Sequence, residues 1–124
     1  MSLPWWLPFG RVPEISAAEL NKLMQDGGAQ LIDVRTPVEF AAGHVAGARN
    51  VPIHTFKQML PTLALDPKQS IVAICGTAHR SPPAVRLLRA AGYENVMQLE
   101  HGMLSWYATR LPTSQEHNSG KANS

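Results

Sequence analysis

The sequence predicts a single α/β domain with a central, mainly parallel sheet flanked by helices on both faces. Short apolar runs alternate with amphipathic stretches along the chain, the pattern of strands alternating with helices in a layered parallel fold. One run, "SIVAIC" at residues 70–75, is β-branched and uncharged, the mark of a strand covered on both sides. A length of 124 residues suits one domain with a real core.

The elements follow in order. Residues 1–11 contain Pro4 and Pro8, which break helix and strand alike, so an irregular apolar arm is expected there. Its Trp5, Trp6 and Phe9 either fold back on the domain or form a docking arm for a partner or a membrane surface. "ISAAELNKLMQDGG" is a marked helix. Ser16 and Glu19 have capping-box spacing, Leu20, Leu23 and Met24 share a face, and Gly27-Gly28 ends it. "AQLIDV" reads as a short buried strand. "TPVEFAAGH" has Pro37 at a favoured helix start and Gly43 as a stop. "ARNVPI" predicts a short strand, and "TFKQMLPTLAL" a short helix broken at Pro61.

After "SIVAIC", Ser81 is expected to cap the helix "SPPAVRLLRAAG", with Val85, Leu87 and Leu88 inward and Arg86 and Arg89 outward. "NVMQL" predicts another strand. "GMLSWYATR" predicts the last helix, with Trp106 and Tyr107 as core and edge packing. The domain is drawn over residues 12–112, and the polar residues 113–124 as a disordered tail.

Composition excludes several classes. With 44% hydrophobic and 16% charged residues, the chain reads as globular and not disordered. Its net charge of +2 is scattered, with no basic run interleaved with aromatics, so no nucleic acid is expected. No apolar stretch approaches a membrane span. The opening lacks the basic leader and cleavage site of a signal peptide. A single cysteine excludes an internal disulfide and a multi-cysteine zinc site, and suits a reducing, cytoplasmic setting. His44 lies in a turn-rich segment and reads as structural. His54, His101 and His117 show no metal-ligand spacing, so no metal is expected.

The chemistry gathers in "IVAICGTAHRSPP". Ligands bind open α/β sheets beyond the carboxyl ends of the strands, which is where Cys75 falls. The loop "GTAHR" then turns directly into a helix, bringing backbone N–H groups and the positive helix end to one centre. Arg80 adds a full charge. His79 adds part of one, or is simply a solvent-exposed loop residue. This suits a thiolate nucleophile attacking an anionic substrate. Cys75 also fits as a small buried hydrophobe ending a strand, and the residues alone leave both readings open. Asp33 and Arg35 lie near the same sheet edge. Asp33 reads as a support, hydrogen-bonded to the loop or to Ser81. Arg35 either reaches a substrate anion or, as preferred here, pairs with Glu39.

Three motifs resemble the rhodanese homology domain family in its single-domain form, over about Val12 to Pro112. They are "LIDVRTPVEFAAGHVAGARNVPI", "CGTAHRS" and "LEHGMLSWYATRLP". The resemblance implies an α/β fold and a sulfurtransferase in which Cys75 attacks the outer sulfur of a donor such as thiosulfate and becomes a persulfide. Gly76, Thr77, Ala78, His79 and Arg80, with Arg35, would bind the small anionic donor, supported by Asp33 and Ser81. A thiol, cyanide or a protein would accept the sulfur, and no metal or organic cofactor is implied. The chain departs from the family loop at Gly76, where arginine is common, and at Ala78, where glycine is common. His101 replaces the first glycine of the third motif. Two other functions stand beside this one. One is a sulfur carrier or binding module with little thiosulfate turnover. The other is a phosphatase or arsenate reductase, which the four residues between Cys75 and Arg80 make a tight fit.

Overall fold

A computed structural model of the chain describes residues 12–77 and 80–115. The elements run β1 (Glu14–Ile15), α1 (Ala17–Gln25), β2 (Gln30–Asp33), α2 (Pro37–Ala42), β3 (Arg49–Asn50), α3 (Ile53–Met59) with a 3-10 turn at Leu60–Thr62, β4 (Ile71–Ile74), α4 (Ser81–Ala90), β5 (Val96–Leu99) and α5 (Gly102–Ala108). The five strands form one sheet in the order β1-β5-β4-β2-β3. Every pairing between them is parallel, with Asp33 opposite Ile74 and Ala73 opposite Gln98.

Strand alternation divides the core. Ile71, Ala73 and Cys75 join Ile32, Val34, Phe56, Val85 and Leu88 on the face covered by α3 and α4. Val72 and Ile74 join Leu20, Leu31, Leu99, Met103 and Trp106 on the face covered by α1 and α5. All four residues of β4 are buried, as its uninterrupted apolar run requires. Helix starts follow the sequence closely. Ser16 and Glu19 form a reciprocal capping box at α1, and Thr36 and Glu39 form one at α2, where Pro37 follows the cap.

Some expectations shift. "ARNVPI" contributes only Arg49–Asn50 to the sheet, because the amides of Val51 and Ile53 bond to the Asp33 and Val34 carbonyls as the chain turns into α3. The helix there begins at Ile53, two residues early, and Pro61 sits inside the 3-10 turn. The first strand, β1, is a two-residue addition at the sheet edge. The tail expected from residue 113 is held at its start, where Ser114 and His44 exchange backbone hydrogen bonds of 2.8 and 2.9 Å. The rest of that tail, like the arm at residues 1–11, lies outside the described residues.

The last helix is docked on the end of β4. The amides of Met103 and Leu104 donate to the carbonyls of Cys75 (2.7 Å) and Gly76 (3.0 Å). These are first-turn N–H groups with no partner inside their own helix. The approach leaves Gly102 no room. A Cβ there would overlap the Cys75 carbonyl oxygen and lie 2.8 Å from the Gly76 carbonyl, and its φ is +56°. His101, the residue before it, also takes the left-handed region at φ 57°. Gly102→Ala is expected to lower unfolding free energy by at least about 2 kcal/mol. An unchanged denaturant midpoint would rule out this close docking.

Candidate active site

β4 carries Cys75 to the carboxyl edge of the sheet, with its side chain on the α3/α4 face and 0% exposed. Two groups from the start of α4 meet the sulfur. The backbone N–H of Arg80 donates to Sγ at 3.4 Å, and the hydroxyl of Ser81 lies 3.6 Å away. Arg80 is the N-cap of α4. The sulfur therefore takes up a donor at the positive end of a helix.

Ser81 does not cap that helix as expected. It is the first helical residue, and no side chain caps α4. The cap position falls to Arg80, whose side chain has donors only, and the second and third helical residues, Pro82 and Pro83, offer no N–H to a capping oxygen. The Ser81 side chain instead turns inward, fully buried, and its hydroxyl donates to Gln98 Oε1 at 2.6 Å.

The Arg80 guanidinium is gripped at both ends by Glu39, with Nη1 to Oε1 at 2.7 Å and Nη2 to Oε2 at 3.0 Å. Nη2 would lie 3.3 Å from a Cβ at position 76. Gly76 thus leaves the space that this guanidinium occupies. Glu39 also completes the capping box of α2 through Thr36. The hydrogen bonds from Arg80 are the largest cause holding the Glu39 carboxyl down at about 2; burial opposes them and the bonds to Thr36 assist. The same contact, with burial opposing it, raises Arg80 above its ordinary value.

Asp33 and Arg35 pair with each other. Arg35 Nε and Nη2 donate to the Asp33 carboxylate at 2.9–3.1 Å, and Nη2 also donates to the Gly43 carbonyl at 2.7 Å. Both side chains are interior, at 6% and 0% exposure. Burial pulls Arg35 down, but the hydrogen bonds and charge of Asp33 outweigh it and the net direction is up. The expected Arg35–Glu39 pair does not form, because each residue has a nearer partner. Among the described residues, no hydrogen bond joins Asp33 to the loop or to Ser81. Alternation along β2 sends Asp33 to the face of Leu31, the α1/α5 side, away from Cys75. Asn50 Nδ2 steadies this turn by donating to the carbonyls of Asp33 (3.0 Å) and Arg35 (2.9 Å).

Of the remaining loop residues, Gly76 and Thr77 follow the sulfur directly. Ala78 and His79 lie outside the described residues. A trans peptide points its N–H opposite its C=O. With the Cys75 and Gly76 carbonyls bonded to α5, the N–H groups of Gly76 and Thr77 face away from that helix. His44 is buried, stacked on Phe40 at 3.7 Å, with Nδ1 2.7 Å from the Phe40 carbonyl, as a structural histidine. Trp106 is buried and Tyr107 is half-exposed at the helix edge. Among the described residues, no group of three His, Cys, Asp or Glu side chains is arranged to hold a metal. None of their helices is long and apolar enough to cross a membrane.

This arrangement of a parallel sheet, a cysteine loop at a strand end and a docked last helix has relatives. The rhodanese-like domain family matches residues 16–109, and the chain belongs to that family. An HTH-type transcriptional regulator of Mycobacterium tuberculosis is 41% identical over 103 residues, covering 82% of this chain and 44% of that protein. The chain thus spans less than half the regulator's length. Thiosulfate sulfurtransferase GlpE of Pseudomonas putida is 34% identical over 101 residues, 82% of this chain and 87% of that protein. The crystal structure of a rhodanese-related protein from Thermoplasma volcanium matches with a TM-score of 0.75 at 29% identity, covering 84% of this chain and 99% of that one.

The Glu39–Arg80 pair makes an acid-dependent contribution. Glu39 is depressed in the folded state to about 2. Its contribution is therefore full above the ordinary glutamate value of about 4.3 and is lost as pH falls towards about 2. The side chains are 36% and 40% exposed, so solvent screens the pair. Wild type is expected to exceed Glu39→Gln by about 0.5–1 kcal/mol at pH 6 and by nothing near pH 2, read from denaturant curves at each pH. A difference constant across that range would contradict the pairing.

Proposed function

We propose that the chain is a sulfurtransferase that moves sulfane sulfur through a Cys75 persulfide. The observation that carries this is the Arg80 N–H aimed at Sγ from the start of α4, a donor that a cysteine merely filling the core would not need. The Cys75 thiolate attacks the outer sulfur of a small anionic donor such as thiosulfate. A Cys–S–S⁻ bond forms, the donor's S–S bond breaks, and sulfite leaves with the electron pair. A thiophilic acceptor, whether cyanide, a thiol or a protein persulfide carrier, then takes the outer sulfur and returns the electron pair to Cys75. The N–H of Gly76 and the helix end are the donors we assign to the anion. A reducing, cytoplasmic compartment suits a mechanism that runs on a free thiol.

Arg80 enters this reading differently from the sequence expectation. Its charge is balanced by Glu39, so its backbone N–H serves the sulfur while its side chain braces the loop against α2. That balance supports a second reading, a sulfur carrier fed by another persulfide with little thiosulfate turnover. It weakens the phosphatase alternative, which requires an arginine free to face the phosphate.

Intact mass after thiosulfate is expected to rise by one sulfur atom, to fall back after cyanide, and to stay constant in Cys75→Ser. No uptake from thiosulfate or from any persulfide donor would sink both sulfur readings. Arg80→Ala keeps the N–H and loses the brace, so thiosulfate loading should slow about fivefold to tenfold, the effect of losing about 1 kcal/mol of positioning. Loading at the wild-type rate would remove Arg80 from the site.

A further inference from the structure

The buried Ser81 hydroxyl has one hydrogen and two acceptors to choose between. Gln98 Oε1 is 2.6 Å away and Cys75 Sγ 3.6 Å away. Gln98 reaches Ser81 from β5, the strand beside β4, and is itself only 5% exposed. Its amide cannot turn over without loss. Nε2 donates to Glu14 Oε2 on β1 at 2.8 Å, and a carboxylate can only accept. With the nitrogen committed to Glu14, the amide oxygen faces Ser81 and claims its hydrogen. Ser81 then shows lone pairs to the sulfur. That suits a thiol, whose S–H can donate to Oγ, and a persulfide, whose inner sulfur carries no charge. It does not serve a thiolate, which needs a donor.

We propose that Gln98 and Glu14 are positioning residues that hold the Ser81 hydrogen away from Cys75, and so set how readily the thiolate forms and leaves. For its effect on transfer this rests on the sulfurtransferase reading; for thiol reactivity it rests on the geometry alone. During discharge the acceptor breaks the persulfide S–S bond and the electron pair returns to Sγ. A Ser81 hydrogen turned to the sulfur would stabilise that leaving thiolate.

Gln98→Leu preserves bulk and removes the competing acceptor. Alkylation of Cys75 by iodoacetamide at a fixed neutral pH should then rise about fivefold, the rate equivalent of one net hydrogen bond. Cyanide discharge of a preformed persulfide should rise by a similar factor. Glu14→Gln, at the exposed end of the chain of bonds, should move both rates the same way by less, and it carries the test alone if Gln98→Leu folds poorly. In a Ser81→Ala background the gain should vanish. Rates at or below wild type, or a gain that persists without Ser81, would overturn the proposal. If wild type takes up no sulfur, the sulfurtransferase reading fails while the alkylation comparison still decides this one.

Discussion

The geometry of the site depends on two hydrogen bonds behind Cys75, from the first turn of α5 to the carbonyls of Cys75 and Gly76. A loop leaving a buried strand carries polar groups that must find partners. Here α5 takes the carbonyl side, which commits the amide side to the opposite direction. The absence of a side chain at Gly102 is what lets the helix come so near. The loop is consequently shaped from outside as much as by its own residues. The direction of the Gly76 and Thr77 amides is thereby fixed by backbone bonds.

Charge in the site is arranged in closed pairs. Asp33 and Arg35 neutralise each other in the interior, on the opposite face of the sheet from the sulfur. Arg80 and Glu39 neutralise each other at the rim. The most conspicuous charged residues of the family motifs thus hold the frame: the first pair fixes the turn after β2, and the second ties α2 to the loop. Gly76 fits this arrangement, since a larger residue there would crowd the guanidinium that Glu39 holds. What faces Cys75 Sγ is dipolar and local, the Arg80 N–H at the start of α4.

Much of this was legible in the sequence, and the gaps have physical causes. β4 is buried on both sides, so its apolar run announced it, and the helix starts were written in capping boxes and prolines whose rules are local. The place of Cys75 at a strand end was legible in the same run. Pairing partners did not follow. Asp33, Arg35, Glu39 and Arg80 can be matched in more than one way by sequence distance, and the strand parity that decides between them depends on where β2 ends. Ser81 reads as a cap by residue type, but the helix starts one residue earlier, with Arg80 in the cap position. Gln98 carried a signal that went unread: a polar residue inside the apolar "VMQL" strand, which needs a buried partner. β1, with two residues, has no periodicity to detect.

The pairing of β1 with β5 joins Glu14 to Gln98 in the sheet register. It joins residues 84 apart, among the most distant pairings in the chain, and closing so long a loop costs chain entropy. The contact of the Arg80 N–H with the sulfur spans only five residues. The last link behind Ser81 needs the first and last strands of the chain to lie side by side. One side of Cys75 is thus furnished by its own loop and the other by the closure of the whole domain.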